Sequence, residues 1–166
     1  MSYHFSPVSI EELKPQKVIC TRVISFEPEN DSNQLVRNWI IKHKLDPSAC
    51  RSFGFDIPVS PAEAQTGLRG YEIGFVIPEI IQGDDQFKTR TYGGGMYAVM
   101  RVHNAFETPF ESIPAGWGTL MNWIESNPDW QPAWHTCYEE VIKGEIEEDL
   151  ILYQPIQKRK ELIIGK

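Results

Sequence analysis

At 166 residues with 41% hydrophobic side chains, the chain can bury one apolar core without metal or disulfide staples. Its formal charge of −7, from 23 acidic against 16 basic residues, leaves 158-KRK-160 as the one dense basic cluster and argues against direct nucleic-acid binding through phosphates. Cys20, Cys50 and Cys137 stand far apart and encode neither a disulfide framework nor a zinc site, no apolar run nears about 18 residues, and the start MSYHFSPVSIEELK lacks the form of an export signal. These features point to a cytoplasmic protein with no membrane span.

In chain order, 17-KVICTRVISF-26 is β-branched and alternating and predicts a strand. The following EPENDSN offers helix-capping residues, and 34-QLVRNWIIKHKL-45 sets Leu35, Trp39 and Ile40 at helical spacing. After DPSAC, 53-FGFDIPV-59 and 69-RGYEIGFVIP-78 read as strands, giving βαββ over residues 15–80. A linker, QGDDQFKTRTY, leads to a second copy over residues 93–158. It has a strand at 95-GMYAVMRVH-103, a helix around 110-FESIPAGWGTLMNWIES-126, and strands at 133-AWHTCYEEV-141 and 148-EDLILYQPI-156. Trp117 follows Trp39 by 78 positions and Pro155 follows Pro78 by 77, so the order and the approximate period both indicate internal duplication within a single domain of residues 1–166.

The glycines of 93-GGGMYAVMRVH-103 come before a strand. A phosphate loop needs them after one, ahead of a helix N-terminus, so Gly93, Gly94 and Gly95 are read as the steric relief by which the chain enters its second half. No nucleophile-elbow, zinc-protease, P-loop or EF-hand pattern occurs, and His4, His43, His103 and His135 have no ligand spacing. Neither a metal nor a cofactor is expected.

The chemistry that remains is acidic and aromatic. Strand alternation sends Glu139 and Glu140 to opposite faces, so one of them can point into whatever the sheet encloses. A carboxylate among aromatic walls attracts cations or, with a raised pKa, serves as a general acid or base; the plain alternative is a solvated edge-strand pair. Tyr71, Ile73, Phe75 and Ile77 share one face of their strand, and Trp134, Thr136 and Tyr138 one face of theirs. Such faces suit flat or cationic ligands as well as core packing.

The order FGFDIP, YEIGFVIP, GGGMYAVMRVH, a helix with Trp117 and Leu120 as W-x-x-L, CYEE and a closing DLILYQPI resembles the GyrI-like small-molecule-binding domain, the effector domain of multidrug-sensing and some AraC-type regulators. The resemblance runs from about Lys17 to Ile156. It implies an α+β fold of tandem βαββ modules with pseudo-twofold symmetry, antiparallel sheets with helices on one side, and a central aromatic ligand cleft. It also implies a cleft glutamate that recognises cationic aromatic compounds. Tyr138 matches the hydrophobic position before that acid and Glu139 the acid itself, while Val141 stands where the family commonly has a tyrosine. On this basis Glu139 faces the ligand, Glu140 turns away, and Phe55, Tyr71, Tyr97 and Trp134 are the candidate ligand wall.

The chain looks like a standalone member, with no segment for a helix-turn-helix. Two functions follow from the resemblance: binding of small aromatic or cationic compounds as protection against xenobiotics, or hydrolysis of cyclopropane-bearing alkylators with Glu139 activating water. A third, inhibition of a protein such as a DNA gyrase, rests on fold-level analogy.

Overall fold

The computed structural model describes residues 2–160; the outermost parts of the expected domain, residue 1 and residues 161–166, lie outside them. The elements are strands β1 (His4–Phe5), β2 (Ser9–Glu12) and β3 (Gln16–Ser25), helix α1 (Pro28–Lys42), a 3-10 turn (Pro47–Ala49), β4 (Ser52–Ile57), the short α2 (Pro61–Gln65), β5 (Arg69–Val76), β6 (Lys88–Tyr92) and β7 (Met96–His103). Then come α3 (Pro109–Glu125), β8 (Trp130–Pro132), β9 (Tyr138–Lys143) and β10 (Glu148–Lys158). The fold is mixed α+β with antiparallel strand pairing, and the chain divides into two compact units. No described helix is long and apolar enough to cross a membrane.

The unit of residues 14–94 is a sheet in the order β4-β5-β3-β6. Helix α1 lays Val36, Trp39 and Ile40 on Ile19, Tyr71, Ile73, Phe75, Ile77 and Phe87. Removing each such side chain from water contributes about 2 kcal/mol, which holds a helix of this length where its own propensity would not. The helix begins at Pro28, not near residue 34 as the sequence predicted. Proline needs no N–H at the first helical position, and Glu29 and Asp31 favour the positive end of the dipole, so PENDSN becomes the opening turns instead of a cap. The buried stripe is consequently Ser32, Val36, Trp39 and Ile40, and Leu35 lies exposed.

Half of the predicted linker is also structured. Residues 88-KTRTY-92 form β6 along β3. This edge strand is exposed except at Tyr92, so it carries charge and threonine in place of an apolar alternation.

The second unit joins residues 2–13 to 95–160. Strand β7 pairs with β10, β10 with β9, and the N-terminal β1 and β2 lie along β7. Helix α3 packs Leu120 and Ile124 on Ala98, Met100, Val102, Leu150, Leu152 and Ile156. Gly93, Gly94 and Gly95, at φ +85, +93 and +100, carry the chain into β7 through a conformation that side-chain-bearing residues rarely adopt.

Of the strand predicted over 133–141 only the part from Tyr138 forms, as β9; residues 133–137 are a loop that follows β8, a short strand ahead of the predicted range. Both strands lie against β10, and the gap falls beside Pro155. Ala133 N–H donates to the Pro155 carbonyl at 2.9 Å, but proline has no N–H to return, so the ladder breaks there.

Candidate functional site

Each sheet has a face that carries its helix and a face turned away from it, and parity assigns every strand side chain to one or the other. In the 95–160 unit Ala98, Met100, Val102, Leu150 and Leu152 pack with α3, so Tyr97, Val99, Ile151 and Tyr153 occupy the other face. Tyr138 pairs with Tyr153 and Glu140 with Ile151, which adds both to that second face. The result is a cluster of three tyrosines and a carboxylate. The Tyr97 ring lies 6.2 Å from Tyr138 and 6.3 Å from Tyr153, and the Tyr153 hydroxyl donates to Glu140 Oε1 at 2.7 Å. Tyr97, Tyr138, Glu140 and Tyr153 are all buried. His135, on the exposed loop between β8 and β9, meets the Tyr97 ring edge-on at 5.8 Å.

This geometry reverses the expected placement of the adjacent acids. Glu139 pairs with Leu152 and so stands on the α3 side, where Trp117 Nε1 donates to its Oε1 at 3.2 Å. Glu140, expected to turn away, is the acid among the tyrosines. Alternation separated the two correctly, but only the register of β9 on β10 decides which one faces α3.

Tyr97 has two unusual properties. Its side chain is fully buried, and its hydroxyl has no hydrogen-bond partner. Burial, with the neighbouring Tyr138 and Cys137, pushes its pKa up to about 12, so the hydroxyl keeps its proton throughout the physiological range.

The remaining wall candidates separate. Tyr71 belongs to the core under α1 and not to an open wall, because β5 presents Tyr71, Ile73 and Phe75 to the helix. Trp134 is 86% exposed on the 133–137 loop and shares no strand face with Tyr138. Phe55 lies on the face turned away from α1, opposite Glu72 in register, and meets Tyr92 edge-on at 5.8 Å.

Around Phe55 the 14–94 unit has a second acid and phenol pair, which the sequence reading missed. Glu72 is buried; Tyr92 donates its hydroxyl to one carboxylate oxygen at 2.5 Å and Arg22 its Nε–H to the other at 2.5 Å. Gly74 makes room for this, since a Cβ there would lie 2.5 Å from the Tyr92 ring. The available signal was Glu72 itself, a lone acid in the otherwise apolar and glycine-bearing YEIGFV. Among the described residues, no group of three or more His, Cys, Asp or Glu side chains could hold a metal ion.

No family model and no curated protein matches the sequence. Among solved structures, the chain is similar to a chain in a cryo-EM structure of the EcmrR–DNA complex in EcmrR-RPo, at a TM-score of 0.69 and 14% identity over 95% of this chain. This chain spans 58% of the length of that one. It is also similar to the integron cassette protein VCH_CASS2 from the mobile metagenome of Vibrio cholerae, at a TM-score of 0.52 and 11% identity, covering 95% of this chain and 100% of that one. At these identities the likeness is one of fold.

Proposed function

We propose that the chain is a GyrI-like domain built from two copies of one βαββ module, and that it binds small, flat aromatic compounds of cationic or amphipathic character on the tyrosine-bearing face of its 95–160 unit. Glu140 is the counter-charge and Tyr97, Tyr138 and Tyr153 are the wall. The observation that carries this is the Glu140–Tyr153 pair at 2.7 Å within a face of three tyrosines. Phenol ring faces and a carboxylate all present negative potential, which favours a cation that can also stack. The same order of strand, helix, strand and strand in both units supports the duplicated module, and the fold shared with a chain of the EcmrR–DNA complex supports an effector-binding type of domain. The cellular role that fits such a site is protection against aromatic toxins.

Glu139, the acid that matches the family position by sequence, acts in this scheme through Trp117 as a tie between α3 and β9. Hydrolysis of a strained cyclopropane would use the Glu140 face as well, with the carboxylate accepting a proton from the attacking water. Incubating the protein with 9-aminoacridine and with a cyclopropane-bearing alkylator, followed by thermal shift and mass spectrometry, tests both. Stabilisation with every compound recovered unchanged identifies a binding protein. A product heavier by one water, formed by wild type and not by Glu140→Gln, identifies a hydrolase. No stabilisation and no product would overturn both assignments.

A further inference from the structure

The Tyr97 hydroxyl is the one buried side-chain polar atom among the described residues that lacks a hydrogen-bond partner. Leaving a buried hydroxyl without a partner in the chain is costly, and a phenylalanine at this position would fill the same space without that cost. The hydroxyl therefore calls for an acceptor that the free chain does not provide. Tyr97 is also central to the cluster: its ring contacts Tyr138, Tyr153 and His135. Of those three, His135 is exposed, on the loop between β8 and β9.

From this, and resting on the aromatic-binding assignment above, we propose that the Tyr97 hydroxyl donates a hydrogen bond to the ligand and thereby selects planar aromatic compounds that carry a carbonyl-type oxygen. Glu140 attracts the cationic part of such a compound, the three rings hold its plane, and Tyr97 reads its acceptor. The two polar contacts have opposite demands: Glu140 accepts, and Tyr97, still protonated, donates. A compound with a cation but no acceptor would leave the Tyr97 hydroxyl as unpaired as before, so the site discriminates between the two classes by about one neutral hydrogen bond.

The test uses two compounds with one carbon skeleton, a fluorene bearing a trimethylammonium group at its 2-position and the corresponding fluorenone. Their affinities are measured by calorimetry on wild type and on Tyr97→Phe, and the carbonyl stretch of bound fluorenone is recorded by infrared difference spectroscopy. Wild type is expected to bind the fluorenone about tenfold more tightly than the fluorene, the size of one good hydrogen bond. In Tyr97→Phe that ratio should fall to about one. The carbonyl stretch should lie at lower wavenumber in wild type than in the variant. Equal affinities on wild type, a ratio that survives Tyr97→Phe, or an unshifted carbonyl stretch because an ordered water already satisfies the hydroxyl would overturn the role of Tyr97 while leaving aromatic binding in place. Failure of both compounds to bind wild type would overturn the aromatic-binding assignment and this one with it.

Discussion

Tyr153 and Glu140 are diagonal neighbours on antiparallel strands: Tyr153 stands opposite Tyr138, Glu140 opposite Ile151, and the Tyr153 hydroxyl reaches across to Glu140 Oε1 at 2.7 Å. The pair is buried. Removing the donor leaves a buried carboxylate short of a hydrogen bond, which costs more than the bond itself contributes. Tyr153→Phe should therefore destabilise the chain by about 1–3 kcal/mol in urea denaturation, with an unchanged dependence on urea. A variant as stable as wild type would show that Glu140 does not depend on this phenol.

The second acid and phenol pair depends on an absent side chain. Gly74 gives the Tyr92 ring its place over β5, and a Cβ there would approach ring atoms to 2.5 Å. Gly74→Leu should displace Tyr92, part it from Glu72 and lower stability by at least about 1–3 kcal/mol, the usual cost of overpacking. Thermal unfolding of Gly74→Leu beside Tyr92→Leu checks the coupling. If the ring is the only thing displaced, the glycine substitution costs little more in the Tyr92→Leu background than the space alone requires, and the double-variant cycle is strongly non-additive.

Tyr97 sets an alkaline limit on stability. Its pKa is about 12 in the folded chain against an ordinary 10.0, with burial as the first cause. A raised folded pKa means that the stabilising contribution is complete below pH 10 and is lost as pH climbs toward 12, because the unfolded chain ionises first. Stability measured across that window should decline for wild type and decline less for Tyr97→Phe. Parallel curves would contradict a hydroxyl held protonated by burial.

Asp149 sets an acid limit. Burial acts to raise its pKa, but the Asn104 N–H at 2.8 Å, the Arg101 guanidinium at 2.7 Å and the charges of Arg101 and His103 outweigh it and hold the carboxyl below its usual range. A lowered folded pKa contributes stability above the ordinary carboxylate value, lost as pH falls through the folded one. Asp149→Asn should cost about 1.5–3 kcal/mol at neutral pH, and its difference from wild type should shrink as the pH drops below about 4. A difference that persists at low pH would mean that shape, not charge, makes the site.

Much of the fold was legible because strands of β-branched and apolar residues and two amphipathic helices announce themselves locally. The exceptions had non-local causes. Strand β6 is an exposed edge with nothing apolar to alternate, α1 begins in residues that look like a cap, and the break between β8 and β9 is imposed by Pro155 on the neighbouring strand. Of the acidic and aromatic cluster the sequence showed the residue types but not which of them share a face. Tyr97 was named, and the acid pair was found, but Glu139 and Glu140 are told apart only by the register that sets Glu139 opposite Leu152 and under Trp117. Tyr153 needed the same information, since its partner lies on another strand. Tyr71 went the other way, because a tyrosine on an apolar strand reads alike whether it faces a ligand or a helix.

In the proposed site Glu140, and not Glu139, is the counter-charge for the ligand. Titrating 9-aminoacridine into wild type, Glu139→Gln and Glu140→Gln by isothermal calorimetry tests it most directly. Glu140→Gln should weaken binding by tenfold or more, since it neutralises the counter-charge, while Glu139→Gln should bind as wild type does. A loss confined to Glu139→Gln, or an equal loss in both variants, would contradict it.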